Sequence, residues 1–117
     1  MKSVLVISHG SHSPKTREEV SRLVNILKKK SKLKIFEFAF LEIDSPSIPK
    51  GIDTCLQKGA DEILFLLNFL NSGKHVNEDI PMIVAEAKKK YPQVRFTISK
   101  PIGQHERIVN LFLDMIK

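Results

Sequence analysis

Residues 63–81 read Ile-Leu-Phe-Leu-Leu-Asn-Phe-Leu-Asn-Ser-Gly-Lys-His-Val-Asn-Glu-Asp-Ile-Pro, an apolar run followed at once by a polar stretch. The run from Ile63 to Phe69 is the most apolar of the chain and predicts a strand that is covered on both faces. An amphipathic segment follows the polar stretch and ends at Tyr91-Pro92. Leu70–Pro81 is therefore predicted to be a strand-to-helix loop, where α/β proteins usually keep their chemistry.

The same succession of apolar run, polar loop and amphipathic segment occurs four times. The predicted strands are Ser3–Ser8, Lys34–Leu41, Glu62–Phe69 and Val94–Ser99. The predicted helices begin near Thr16 (a capping box with Glu19), at Ser47, after Leu70–Pro81 and before Ile108. Such alternation predicts one α/β domain over residues 1–117, a doubly wound four-stranded parallel sheet with strand order 2-1-3-4 and helices on both faces.

Composition places the chain among ordinary globular proteins. It has 117 residues, 42% of them hydrophobic, and no apolar run long enough to span a bilayer. Its single cysteine, Cys55, falls in an apolar helical pattern and is predicted to be buried, which favours a cytoplasmic protein without a membrane partner. The net charge of +6 lies mostly in lysine runs at predicted helix ends, where cations complement the helix dipole. No nucleic acid is therefore expected, whereas a small polyanionic ligand remains open.

All four histidines follow predicted strands: His9 and His12 the first, His75 the third and His105 the fourth. The loops after parallel strands leave one edge of the sheet, and ligands bind where the strand order reverses. His9 and His75 should face each other across that point. Two neutral imidazoles there favour a partial site for a divalent transition metal and can also accept protons. His12 is expected to be idle, and His105 either lines the same edge or belongs to the last helix.

Other polar residues near this edge permit weaker interpretations. Gly10 and Ser11 can offer backbone N–H groups and a hydroxyl to an anion, although an ordinary turn explains them equally well. Lys74 can pair with a ligand carboxylate. Glu42 and Asp44 follow the second strand, and Glu78 and Asp79 are expected to be helix-start acids rather than ligands.

Four segments, one after each strand, carry a resemblance. They are Ser8-His9-Gly10-Ser11, Phe40-Leu41-Glu42 with Ser45-Pro46-Ser47-Ile48-Pro49, Gly73-Lys74-His75-Val76 with Asp79-Ile80-Pro81, and Pro101-Ile102-Gly103. At these spacings, over nearly the whole chain, the sequence resembles the short form of the CbiX-type sirohydrochlorin chelatases. The Gly-Lys-His-Val…Asp-Ile-Pro segment is the most specific part of the match.

The resemblance implies insertion of a divalent metal, Co²⁺ or Fe²⁺ and in some members Ni²⁺, into sirohydrochlorin, with no cofactor beyond that metal substrate. It also implies a homodimer, since two short chains pair to build a two-lobed site. His9 matches the family's proton acceptor and metal ligand, and His75 its second ligand. The substrate-contacting positions matched are Ser45, Leu70, Asn71, Ser72, Gly73, Lys74 and His75.

Two other functions fit part of the pattern. A histidine phosphatase also places His-Gly after its first strand, but it needs an arginine just before the histidine, where this chain has Ser8. A non-catalytic tetrapyrrole or metal carrier would keep His9 and His75 for binding alone. Acceleration of metal insertion separates an enzyme from a carrier.

Overall fold

The structure, a computed structural model that describes residues 1–117, consists of four strands alternating with four α-helices. The strands are β1 (Lys2–Ser8), β2 (Ile35–Phe40), β3 (Glu62–Leu67) and β4 (Arg95–Pro101). The helices are α1 (Pro14–Lys30), α2 (Ile48–Gln57), α3 (Ile80–Lys90) and α4 (Ile108–Ile116). A π-helical turn (His75–Asp79) precedes α3 directly, and a 3₁₀ turn (Ile102–Gln104) precedes α4.

All strand pairs are parallel, and the order is β2-β1-β3-β4, which confirms the predicted fold class. β1 lies in the centre with Ser8 opposite Phe40 of β2 and Ile7 opposite Leu67 of β3. The three strands therefore end at nearly the same level. The loops that follow them leave the sheet side by side.

Each face of the sheet has its own core, as expected of a doubly wound fold. Leu5 and Ile7 of β1 point to the face covered by α2 and α3, where a cluster of 13 buried residues includes Phe65. Val4 and Val6 point to the face covered by α1 and belong to a smaller cluster of 6 buried residues. Both faces of β1 are thus buried, which is why its sequence is continuously apolar.

Two predictions about helices are wrong. α1 begins at Pro14 rather than near Thr16, because Ser13 accepts a hydrogen bond from the Lys15 N–H at 3.4 Å and Pro14 occupies the first helical position. The stretch Leu70–Pro81 is not all loop, because its second half already forms the π-helical turn.

α4 differs from the other three helices in its burial. None of its residues is buried.

No helix in the structure is long and apolar enough to span a membrane.

The buried thiol of Cys55 gives a first testable expectation. Burial raises the pKa of Cys55 to about 11 from 9.0, so the thiolate is about a hundredfold scarcer at pH 8 than in an unfolded chain. Modification by a thiol reagent at pH 8 should be at least about a hundredfold slower for the native protein than for the protein in denaturant. Equal rates would show that Cys55 is accessible. Since the folded pKa is raised, the native state should also lose stability as pH rises from 9.0 towards 11.

Candidate metal centre at the carboxyl edge of the sheet

The loops after β1 and β2 remain joined beyond the strands. The Leu41 N–H donates to the Ser8 carbonyl at 2.9 Å, and the Glu42 N–H donates to the His9 carbonyl at 3.0 Å. Gly10 makes this approach possible, because it adopts φ +106° and a Cβ at this position would overlap the Glu42 carbonyl oxygen. The two loops are therefore in direct contact, with His9 next to Glu42.

His9 is held so that one ring nitrogen faces the site. Its Nδ1 lies 3.1 Å from the Gly10 carbonyl oxygen, which can only accept, so Nδ1 carries the proton. Its Nε2 lies 3.5 Å from Oε1 of Glu42. The imidazole side chain is 43% exposed, which leaves this nitrogen accessible from solution.

His75 is oriented in the same way by a carboxylate. Its Nδ1 lies 2.6 Å from Oδ2 of Asp79, four residues further along the π-helical turn. An ionised carboxylate accepts, so Nδ1 of His75 donates and Nε2 keeps its lone pair for a ligand. A carboxylate behind an imidazole is the usual arrangement that orients a metal-binding histidine.

His9, Glu42 and His75 converge on one point. The His9 and His75 ring centroids are 4.9 Å apart, and one potential ligand atom from each of the three residues lies within 4.8 Å of the other two. Two imidazoles and one carboxylate form a set that divalent first-row metals accept, with coordination positions left open for another molecule. The topology therefore joins the two predicted histidines and adds a third group.

The other predicted site residues lie on the same loops but in different roles. The Ser11 N–H donates to Oδ2 of Asp44 at 2.8 Å, so it is not free for an anion as one interpretation of the sequence has it. The Ser45 carbonyl accepts from Nε of Arg17 at 2.9 Å, and its side chain is exposed. The predicted residues between β3 and the π-helical turn are all exposed along one rim: Leu70, Asn71, Ser72, Gly73 and Lys74.

The two remaining histidines do not join the centre. His12 is exposed, as expected of an idle residue. His105 accepts a hydrogen bond from the Arg107 N–H at 3.0 Å through Nδ1 and thus supports the start of α4. Of the two roles left open for His105, its place at the last helix is the one that the structure supports.

Sequence reasoning missed two residues. The sequence places Glu42 only at the correct edge, and it predicts Asp79 to be a helix-start acid without a partner. The spacing of His75 and Asp79 was the available signal, since residues four apart on a helical turn are neighbours.

Comparison with known proteins identifies the family of the chain. Residues 3–117 match the family CbiX. The chain is 37% identical over 112 residues to the sirohydrochlorin cobaltochelatase of Priestia megaterium, covering 95% of this chain and 36% of that protein. It is 32% identical over 122 residues to the sirohydrochlorin cobaltochelatase of Saccharolobus solfataricus, covering 99% and 94% of the two chains.

A solved structure is similar over almost the whole chain. It is the sirohydrochlorin chelatase SirB from Bacillus subtilis subspecies spizizenii in complex with cobalt, with a TM-score of 0.89 and 30% identity. The match covers 98% of this chain and 49% of SirB. The chain spans less than half the length of several curated relatives that it matches. With the family match extending from residue 3 to residue 117, the chain belongs to the CbiX family.

Proposed function

We propose that this chain is a sirohydrochlorin chelatase, which inserts Co²⁺ or Fe²⁺, with Ni²⁺ as a further option, into sirohydrochlorin during cobalamin or sirohaem-type tetrapyrrole biosynthesis. The observation that carries the proposal is the convergence of His9, Glu42 and His75 within 4.8 Å at an exposed edge of the sheet. Relatives named as cobaltochelatases and ferrochelatases support the choice of metals.

The three side chains suit a metal that must be held and then released. Two imidazoles and a carboxylate bind a divalent ion while leaving positions for the ring nitrogens of a second ligand. All three side chains are partly exposed, between 41% and 52%, so a flat ring can approach them. A closed four-ligand site would store the metal instead.

The same residues can handle the protons of the reaction. Insertion of M²⁺ into the ring releases two pyrrole protons for each metal. When the metal passes to the ring, Nε2 of His9 regains its lone pair and can accept one proton, and the Glu42 carboxylate 3.5 Å away stabilises the resulting imidazolium. Nε2 of His75 can accept the second proton, with Asp79 opposite its Nδ1.

The exposed rim from Leu70 to Lys74 is proposed to contact the tetrapyrrole, together with Gly10, Ser11 and Ser45. Sirohydrochlorin carries many carboxylates, and Lys74 adds a cation to a chain whose net charge is +6. Cys55 is free and buried, in keeping with the cytoplasmic setting proposed. We further propose that two copies pair, each contributing one lobe to the site.

A spectroscopic assay tests the proposed activity. Purified protein is mixed with sirohydrochlorin and Co²⁺, Fe²⁺ or Ni²⁺ in turn, and the absorption spectrum of the ring is followed over time. Metal insertion faster than the spontaneous reaction supports a chelatase, and the ranking of the three metals names the preferred substrate. Binding of the ring without any acceleration would identify a carrier and refute the enzyme.

Asp79 should act as a positioning residue. Asp79→Asn removes the charge behind His75 and permits the amide N–H₂ to face Nδ1, which favours the wrong imidazole tautomer. Loss of such a partner typically weakens metal affinity or activity by about 10- to 100-fold. We expect this loss in Co²⁺ affinity measured by calorimetry as well as in metal insertion. Glu78→Gln is the matched control, because Glu78 is adjacent and exposed; an equal effect of both variants would exclude the positioning role.

A further inference from the structure

The candidate metal centre lies among carboxylates, although the ring proposed to bind there is itself a polyanion. Four acidic residues lie on the segments that follow the strands at this edge: Glu42, Asp44, Glu78 and Asp79. Like charges repel, so a ring with several carboxylates needs cations at this edge to offset the acids. The rim after β3 supplies one cation, Lys74.

A second cation, Arg17 of α1, lies on the other side of the centre, beside the loop after β2. Its Nε donates to the carbonyl of Ser45, three residues after Glu42, at 2.9 Å. In the sheet, β1 separates β2 from β3, so the loops after β2 and β3 begin about 10 Å apart. Arg17 and Lys74 therefore flank the centre from opposite sides.

An aromatic ring also holds the guanidinium of Arg17. Its Cζ lies 5.5 Å from the centroid of the Phe38 ring, within the range of a cation–π contact. Phe38 packs edge-on against Phe40, with ring centroids 5.7 Å apart, and Phe40 is fully buried. The guanidinium is thus oriented by two contacts before any ligand binds, which lowers the entropy cost of binding.

The terminal nitrogens of Arg17 are available to a ligand. None of the ion pairs in the structure involves Arg17, and its one side-chain hydrogen bond uses Nε. The nearby Asp44 carboxylate accepts from the Ser11 N–H at 2.8 Å. Glu42 lies 3.5 Å from Nε2 of His9. The remaining N–H groups of the guanidinium form a planar fork that matches the two oxygens of a carboxylate.

We propose that Arg17 is a carboxylate anchor: its Nη atoms bind one peripheral carboxylate of the tetrapyrrole and so favour a ring with an acidic side chain at that position. The inference rests on the proposed function, because it adds a contact to the ring proposed as substrate. Arg17 does not touch the metal, and the three candidate ligands stay free to hold the ion. Lys74 takes a different carboxylate, so the ring is held on both sides of the centre.

Binding of metal-free sirohydrochlorin, followed through the absorption spectrum of the ring, tests the anchor directly. Arg17→Gln should raise the Kd of the ring by at least about 10-fold, the usual loss when a hydrogen-bonded charge is removed. Arg17→Lys keeps the charge but not the fork, so it should recover only part of the affinity.

Arg22→Gln is the matched control for this experiment. Arg22 is an exposed arginine further along α1, so its substitution removes the same charge from the same helix. Its Kd for the ring should stay close to the parent value. A parent-like Kd for Arg17→Gln, or equal losses for both variants, would overturn the anchor.

The affinity for Co²⁺ separates ring binding from a purely structural role of Arg17. If Arg17 acted only by holding the Ser45 carbonyl, Arg17→Gln would displace the loop that carries Glu42, and Co²⁺ binding would weaken too. We expect instead that Co²⁺ affinity, measured by calorimetry without the ring, stays at the parent value. A parallel fall in both affinities would assign Arg17 to support of the loop. Circular dichroism verifies the fold, and Arg17→Lys carries the test if Arg17→Gln is unfolded.

Ring binding and metal insertion can fail independently of each other. A Kd that depends on Arg17, without any acceleration of insertion, would keep the anchor and refute the chelatase. Acceleration by the parent protein with an unchanged Kd in Arg17→Gln would keep the chelatase and refute the anchor. In an active enzyme, Arg17→Gln should raise the KM for the ring and leave kcat unchanged, because the contact is made equally before and during insertion.

Discussion

His75→Ala is expected to reduce metal insertion by about 100-fold or more, the range found when a group that transfers protons is removed, with loss of a metal ligand in addition. The ring of His75 lies 4.9 Å from that of His9 and faces the same point as Glu42. The fold should persist, because the side chain is 41% exposed and Asp79 behind it is reached by water. We expect the free energy of unfolding to change by less than about 1 kcal/mol.

The measurement pairs the absorption assay with a denaturant titration of the same preparation. His12→Ala is the matched control, since His12 is an exposed histidine on the loop after β1 that does not reach the centre. His12→Ala should retain the parent rate. Parent-like rates for His75→Ala, or equal losses for both variants, would remove His75 from the proposed chemistry.

Gly10→Ala should damage both stability and activity, although it adds a single methyl group. The alanine would be strained at φ +106°, and its Cβ would overlap the Glu42 carbonyl oxygen. Relief requires the loops after β1 and β2 to separate, which moves Glu42 away from His9. We expect a loss of about 2–4 kcal/mol in unfolding free energy, from backbone strain and overpacking together, and at least about a tenfold loss in metal insertion.

Two other glycines separate the causes of that effect. Gly59 has φ +102° with open space around it, so Gly59→Ala reports backbone strain alone, about 1 kcal/mol. Gly73 has neither a positive φ nor a close neighbour, so Gly73→Ala should be nearly neutral for stability. If Gly10→Ala costs no more than Gly59→Ala, the close approach of the two loops does not control the site.

The sheet and the pair of histidines could be predicted because both follow from periodicity. Four apolar runs with helical segments between them are compatible with only a few sheet topologies. In a parallel sheet, the loops after β1 and β3 lie at the same edge. Periodicity therefore places the loops that carry His9 and His75 side by side. Their roles as ligands remain predictions, to be decided by the substitutions above.

Glu42 could not be assigned from the sequence for a local reason. The next residue, Ile43, adopts φ +71°, a left-handed conformation that a β-branched residue seldom takes. Such a turn is imposed by the surrounding contacts and leaves no signature in residue types. The direction of the Glu42 side chain depends on this turn and on the close approach of Gly10.

α4 shows a different limit of the sequence. Its residues correctly predict a last helix, which runs from Ile108 to Ile116. The pattern of its residues does not specify where this helix lies relative to the sheet. Its start is set by the preceding turn, in which the Gly103 N–H donates to the Phe69 carbonyl and Nε2 of Gln104 donates to the Leu70 carbonyl.

The contact between His75 and Asp79 depends on the number of residues in the π-helical turn as well as on their identity. The Ile80 N–H bonds to the His75 carbonyl five residues earlier, one residue more than an α-helix would need. Removing one residue between His75 and Asp79 would restore an α-helical path to Ile80 and would shorten the spacing of His75 and Asp79 from four residues to three. All three candidate ligands would still be encoded, but Asp79 would no longer be placed opposite Nδ1 of His75 as it is now. In related sequences, the length of this segment should therefore show whether the histidine keeps a carboxylate partner.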